Sequence, residues 1–178
     1  MGSLIVVSLL FASLVDVSAG PAGKSFQFVS KNGGHEARVV FTTRPFDGSA
    51  HRITKQKGCP RIDGRAPLGT DCSMPRFEIA SIDFSFDGKS VPVLKSLYQD
   101  CYEPPFKNKS GGADIPGHFA VRIGDDLKSV FIFMYGGDAA GSYQVLWVLR
   151  PDGKHSRFSG ACADCGFIDF QSGFFNAN

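Results

Sequence analysis

Apolar side chains that alternate with polar ones are the feature of this sequence that most restricts its fold. The alternation runs through SIDFSF at 81–86, HFAVRI at 118–123 and SYQVLWVL at 142–149. Because successive side chains of a β-strand point to opposite faces, each segment predicts a strand with one face on a core. SVFIFMY at 129–135 is apolar on both faces and predicts a central strand. Two further segments have strand character, FQFVS at 26–30 and ARVVFTT at 37–43.

Asp-Gly pairs separate these segments in the way that tight hairpins require. Asp87-Gly88 and Asp152-Gly153 lie directly between strand-like runs, and both residue types tolerate the positive φ of two-residue turns. We therefore expect an antiparallel meander from Arg76 to Phe158, including a hairpin around Asp152-Gly153. The predicted fold class is mostly β, an antiparallel β-sandwich or a flattened barrel.

One segment interrupts the β pattern with helical spacing. Leu94, Leu97, Tyr98 and Cys101 are spaced as the apolar stripe of an amphipathic helix. Pro104-Pro105 then ends the pattern, because proline cannot continue a helix. The sequence thus predicts one short helix over about residues 93–102.

The N-terminal residues have the features of a secretory signal peptide. The run from Leu4 to Val15 is apolar and too short to span a bilayer, and Val17-Ser18-Ala19 offers small residues for a signal peptidase. We expect a signal peptide at 1–19 and a single exported β domain at 20–178, secreted or periplasmic, with no later membrane segment. The alternative is that the apolar run forms a buried N-terminal strand.

The chain has five cysteines, and an oxidising compartment would favour disulfides between them. Cys59 and Cys72 bracket a loop rich in Gly and Pro, and a bridge there would stabilise the fold by roughly 3 kcal/mol in the chain-entropy treatment. Cys162 and Cys165 are expected to pair with each other. Cys101, on the apolar stripe, is the candidate for the unpaired thiol. The rival pairing joins the C-terminal cysteines to the 59–72 loop.

The Cys-x-x-Cys at 162–165 could also belong to a redox enzyme or a zinc site. A thioredoxin-like pair begins a helix after an early strand, whereas here GFIDF follows and resembles a strand. A zinc ribbon needs two such pairs and the chain has one. We therefore interpret the motif as structural, and we expect no metal and no cofactor.

The strongest candidate for function is a basic loop at 44–75. Disulfide-closed loops on a rigid β scaffold often serve recognition, so we expect a binding or interaction module for an unknown protein or envelope polymer. The alternative is a solvated loop with no partner. The candidate contact residues are Arg52, Lys55, Lys57, Arg61 and Arg65.

Other function classes have weaker signals. The net charge is +2 with no run of Lys or Arg, so nucleic acid is not an expected partner. No Gly-x-Ser-x-Gly is present, and the histidines are scattered rather than paired on a helix. The main alternative to a binding module is a small hydrolase-type enzyme with a dispersed site built from His118, His155 and nearby Asp.

Overall fold

The computed structural model describes residues 15–17, 23–106, 118–137 and 139–161, and within these ranges the regular structure is almost entirely β. Three single 3₁₀ turns lie between the strands, at Gly48–Ala50, Lys95–Leu97 and Ala139–Gly141. The strands are β1 (Val15–Val17), β2 (Lys24–Asn32), β3 (His35–Pro45), β4 (Ile53–Gln56), β5 (Cys59–Ile62), β6 (Phe77–Phe86), β7 (Lys89–Val91), β8 (Phe119–Ile123), β9 (Val130–Gly136), β10 (Tyr143–Leu149) and β11 (Ser156–Ala161).

The strands form two main antiparallel sheets and one separate hairpin. The first sheet has the order β1-β2-β3-β6-β7, and the second has the order β11-β10-β9-β8. The hairpin β4-β5 is a two-stranded sheet of its own. Among the described strands, neither main sheet closes on itself. The predicted antiparallel sandwich is therefore confirmed, and these strands do not form the flattened barrel.

The core lies between the two main sheets and is strongly aromatic. Phe28 of β2 packs on Phe119 of β8 with ring centroids 4.1 Å apart, and Phe41 of β3 faces Trp147 of β10 at 5.7 Å. Trp147 is fully buried, and its indole N–H donates to the carbonyl of Leu97 at 2.8 Å. The alternation in the sequence therefore corresponds to the inward faces of the two sheets.

The hairpins that the Asp-Gly pairs predict are present. Asp87 and Gly88 join β6 to β7 with φ of 49° and 76°, the positive values of a type I′ turn. β10 and β11 pair around Asp152-Gly153, with Leu146 opposite Phe158. The run that is apolar on both faces is β9, which lies between β8 and β10, so its predicted central position is confirmed.

The helix predicted over about residues 93–102 is a single 3₁₀ turn, Lys95–Leu97. Leu94 has an extended backbone and no side chain caps the turn, and Leu94 itself is 67% exposed. Cys101 and Tyr102 then form bridges with Leu68 and Glu78. The segment gains strand-like backbone pairing by leaving the helical conformation, and this tertiary gain overrides a weak local preference.

The first strand, β1, and the absence of a long apolar helix from the described residues concern the predicted signal peptide and the expectation of no membrane segment. β1 lies inside the segment predicted as a signal peptide and pairs with Ser25–Gln27 of β2; cleavage after residue 19 stays a prediction. Within the described ranges, no helix is long and apolar enough to cross a membrane.

Candidate functional site

The basic loop is built around the hairpin β4-β5. Lys57 and Gly58 connect the strands with φ of 50° and 85°, so the connection is a two-residue turn of the type I′ kind. Gly58 adopts this conformation easily, but Lys57 carries a Cβ that the left-handed region disfavours. Sequence reasoning placed no strands between 51 and 75, because the four-residue segments are too short and too polar to show a period.

The hairpin carries four cations, three of them exposed, and none has a carboxylate partner among the described residues. Arg52, Lys55 and Lys57 are exposed, and Arg61 is half-buried. None of the four forms an ion pair with any residue that the structure describes. We name residues 52–61 the basic hairpin. Its positive charges are available to a partner.

Arg65, the fifth candidate residue, has a different environment from the other four. It lies beyond the basic hairpin and is half-buried. Its Nη1 donates to the backbone carbonyl of Ser96 at 3.1 Å, and Gln99 can accept from the same guanidinium. Arg65 thus joins the loop to the 3₁₀ turn at 95–97.

His51 anchors the base of the basic hairpin. Its Nδ1 lies 2.8 Å from Asp63 Oδ2, and its Nε2 lies 3.0 Å from Glu78 Oε2. The imidazole is only 5% exposed and stacks on Phe46, with ring centroids 5.0 Å apart and 18° between the planes. Both ring nitrogens of His51 therefore face carboxylate oxygens.

The anchor connects the hairpin to the first sheet, because Glu78 belongs to β6. The Glu78 side chain is 7% exposed and also accepts a hydrogen bond from Arg44 Nε of β3. At the other carboxylate, the hydrogen bond from His51 and a second from the Arg52 N–H lower the pKa of Asp63. Sequence reasoning missed this arrangement, since His51 and Glu78 are 27 positions apart and no local pattern relates them.

A disulfide provides the second attachment. Cys59 of β5 is bonded to Cys72, with their Cα atoms 4.6 Å apart, as the loop composition predicted. Cys162 and Cys165, the other predicted pair, lie outside the described residues.

Cys101, the candidate unpaired thiol, is buried at 1% exposure and forms no disulfide with a described residue. Burial raises the pKa of this thiol to about 12. A thiol with so little thiolate at neutral pH is a poor nucleophile and a poor metal ligand.

A cluster of polar side chains, which sequence reasoning also missed, lies around the Cys101 thiol. Arg157 of β11 forms an ion pair with Asp100 and donates to Ser159 Oγ at 3.0 Å. The Tyr143 hydroxyl is fully buried and meets hydrogen-bond geometry with no described residue, although it is close enough to Cys101 for the two groups to interact. Cys101 and Tyr143 belong to the core, and the partly buried Arg157–Asp100 pair lies at its edge, so we interpret the cluster as structural.

The two histidines proposed for a hydrolase site, His118 and His155, make structural contacts in the fold. His155 Nδ1 accepts from the Arg150 N–H at 3.2 Å, and its Nε2 donates to the Pro92 carbonyl at 2.9 Å. Both nitrogens of His155 are therefore used by the backbone. His118 packs on the ring of Tyr135 at 4.6 Å, and burial lowers the pKa of its imidazole.

Among the described residues, no three His, Cys, Asp or Glu side chains are arranged to hold a metal ion. Comparisons with protein-family models, with curated proteins and with solved structures find no match to this chain. The functional argument therefore depends on the geometry of the site.

Proposed function

We propose that this protein is an interaction module that contacts an acidic protein partner through the basic hairpin. The observation that carries the proposal is a set of four cations on one hairpin, three of them exposed, that form no ion pair with any described residue. Oppositely charged surfaces steer association and suppress wrong partners. The partner is thus a protein surface or segment rich in Asp and Glu.

Two attachments support this role by holding the hairpin in place before binding. The Cys59–Cys72 disulfide fixes β5 to the following loop, and His51 fixes the hairpin base to β6. A contact surface that is already ordered loses less conformational entropy when it binds. Arg52, Lys55 and Arg61 are therefore presented on a scaffold of defined shape.

The backbone at Lys57 also supports a role in contact. A lysine with φ of 50° occupies a conformation that costs of order 1 kcal/mol relative to glycine or asparagine. Backbone strain of this kind concentrates at functional positions. Here it places one more positive charge at the tip of the hairpin.

An exposed apolar side chain favours a protein partner over a charged polymer. Ile53, the first residue of β4, is 39% exposed and lies between Arg52 and Lys55 in the sequence. Protein interfaces combine apolar contacts with a polar rim, whereas a polyanion would need only the positive charges. Ile53 and Lys55, which share one face of the hairpin, together fit a protein surface.

We further propose that the mature domain begins after residue 19 and works in a secreted or periplasmic location. The Cys59–Cys72 disulfide supports this, since such bonds persist in oxidising compartments. Non-reducing mass spectrometry of protein from the native host tests it. A mass corresponding to residues 20–178 with the disulfide formed is expected, and an intact N-terminus with reduced cysteines would contradict it.

The contact surface is tested with polyglutamate as a charge-only probe. The triple variant Arg52→Glu, Lys55→Glu, Arg61→Glu should weaken binding about tenfold or more relative to the wild type, and added salt should weaken wild-type binding. The matched control is Lys24→Glu, Lys89→Glu, Lys128→Glu, three exposed cations outside the hairpin.

The control carries the same change in net charge at other sites. If both triple variants lose binding equally, only net charge matters and the basic hairpin has no special role. If neither loses binding, the proposed contact surface is wrong.

A further inference from the structure

One edge of the basic hairpin has backbone groups that the fold leaves unpaired. The Asp63 N–H donates to the Arg52 carbonyl at 2.9 Å, so these two residues form a hydrogen-bonded pair. Hydrogen-bonded and non-hydrogen-bonded pairs alternate along an antiparallel ladder. The register then makes Ile53 and Lys55 non-hydrogen-bonded positions, opposite Ile62 and Pro60. Their N–H and C=O groups point away from β5.

The other edge of the hairpin is closed. Ile62 and Arg65 exchange two backbone hydrogen bonds, each 2.9 Å long, and these use the outward groups of Ile62. Pro60 has no N–H to offer at its own outward position. Of the two hairpin edges, only that of β4 can accept another strand.

The β4 edge is also accessible. All four residues of β4 are exposed. Within the described part of the chain, β4 pairs with β5 alone and no other segment bonds to the backbone of residues 53–56. An accessible edge of this kind can be extended by a peptide in β conformation.

The side chains along this edge define what peptide fits. Ile53 and Lys55 share one face of the hairpin, and Arg52 lies on the opposite face together with Arg61, because side chains alternate along a strand. In an added antiparallel strand, an acidic residue opposite Lys55 and another opposite Arg52 form cross-strand charge pairs. An apolar residue opposite Ile53 covers its exposed side chain.

We propose that an acidic segment of the partner adds to β4 as an antiparallel strand, and this rests on the proposed function of the basic hairpin. Read from its N-terminus, the segment has the order acidic, any residue, apolar, acidic. Charge complementarity favours this occupant over a second copy of the chain. Two β4 edges would bring Arg52, Lys55 and Lys57 of one copy against the same cations of the other, and like charges on neighbouring strands repel.

The test uses the wild-type protein and the capped peptide Thr-Glu-Thr-Val-Glu-Thr. In the proposed register, the amides of its first Glu and of its Val face β4, and those of its central Thr and second Glu face away. N-methylation of the first pair should weaken binding about thirtyfold through two lost backbone hydrogen bonds. N-methylation of the second pair is the matched control and should leave binding within about threefold.

Amide hydrogen exchange gives a second measurement on the same complex. Peptide binding should slow exchange at Ile53 and Lys55, whose N–H groups gain partners. Thr54 and Gln56 already donate across the hairpin and should change little. Equal effects of the two N-methylated peptides, or no added protection at Ile53 and Lys55, would overturn strand addition.

The outcomes separate this inference from the proposed function. If binding of the peptide depends on Arg52, Lys55 and Arg61 but ignores N-methylation, the hairpin is an acidic-partner surface without strand addition. If the unmodified peptide does not bind while polyglutamate does, strand addition is again wrong. If the wild-type protein forms dimers that the peptide disperses, the edge serves a second copy and the proposed occupant is wrong.

Discussion

His51 Nε2 lies 3.0 Å from Glu78 Oε2 and thereby joins the basic hairpin to the first sheet. The two side chains are 5% and 7% exposed, so their hydrogen bond is shielded from water. This imidazole and the Cys59–Cys72 disulfide therefore help to orient an otherwise separate two-stranded sheet. Predictions about this contact test whether the hairpin is held in place or merely tethered.

Replacing His51 with alanine should lower the free energy of unfolding by about 2–3 kcal/mol, because the buried Glu78 carboxylate loses a charged hydrogen bond. Urea denaturation measures this. His35→Ala is the matched control: His35 Nδ1 also lies 2.8 Å from an aspartate, Asp87, but the pair is exposed and should contribute about 0.5 kcal/mol or less. Equal losses in the two variants would contradict an anchoring role for His51.

Acid should loosen the hairpin base through Asp63. Hydrogen bonds from His51 and from the Arg52 N–H lower the pKa of Asp63 in the folded protein. Its stabilising contribution is therefore fully present above the unfolded carboxyl pKa and is lost as the pH falls through the folded value, below about pH 4. Backbone amide shifts of residues 52–63 should move together in that range.

Asp63→Asn is the variant that checks this assignment, since asparagine tolerates the positive φ of 51° at this position. It should remove the acid transition of the hairpin amides. If the acid transition persists in Asp63→Asn, it arises from the titration of another group.

The Cys59–Cys72 disulfide should stabilise the fold by about 3 kcal/mol, since it closes a loop with a sequence separation of 13. The double variant Cys59→Ser, Cys72→Ser should unfold at correspondingly lower urea concentration. It should also weaken polyglutamate binding, because the free hairpin must be ordered on binding. Unchanged stability and binding would mean that the other contacts are enough to keep the hairpin in place without the disulfide.

Cys101 should resist alkylation in the native protein. With its pKa raised to about 12 by burial, on the order of one thiol in ten thousand is ionised at pH 8, and reagent access requires opening of the core. Mass spectrometry of the peptide containing Cys101 after iodoacetamide treatment should show modification only when denaturant is present. Rapid labelling under native conditions would place the thiol at an accessible site.

The Arg157–Asp100 ion pair should matter most when only one partner is removed. Arg157→Met leaves the Asp100 carboxylate, 16% exposed, without its cation and should cost about 3 kcal/mol. Adding Asp100→Leu should recover most of that loss, because an apolar pair of similar volume avoids the desolvation penalty. Additive losses in urea denaturation would mean that the two side chains do not interact.

The fold class was predictable because its signals are local. The alternation of apolar and polar side chains specifies which residues of β6, β8 and β10 face a core. The Asp-Gly pairs specify where the chain reverses. The composition of the loop between Cys59 and Cys72 favoured their pairing over the rival bond to the C-terminal cysteines, and the structure confirms the favoured bond. The hairpin β4-β5 was missed because this local signal is absent there. Its strands are too short and too polar to show an alternating pattern.

Sequence alone thus determined most strands of the sandwich, the main turns and the basic character of the loop, each a property of neighbouring residues. Tertiary structure decided the features that depend on distant residues. Residues 101 and 102 pair with Leu68 and Glu78 instead of continuing a helix, and His51 bonds to Glu78. Tertiary structure also decided which charges have no carboxylate partner among the described residues. The reason is physical: local spacing fixes backbone preference and the facing of side chains, whereas pairing energies depend on which segments the packed sheets bring into contact.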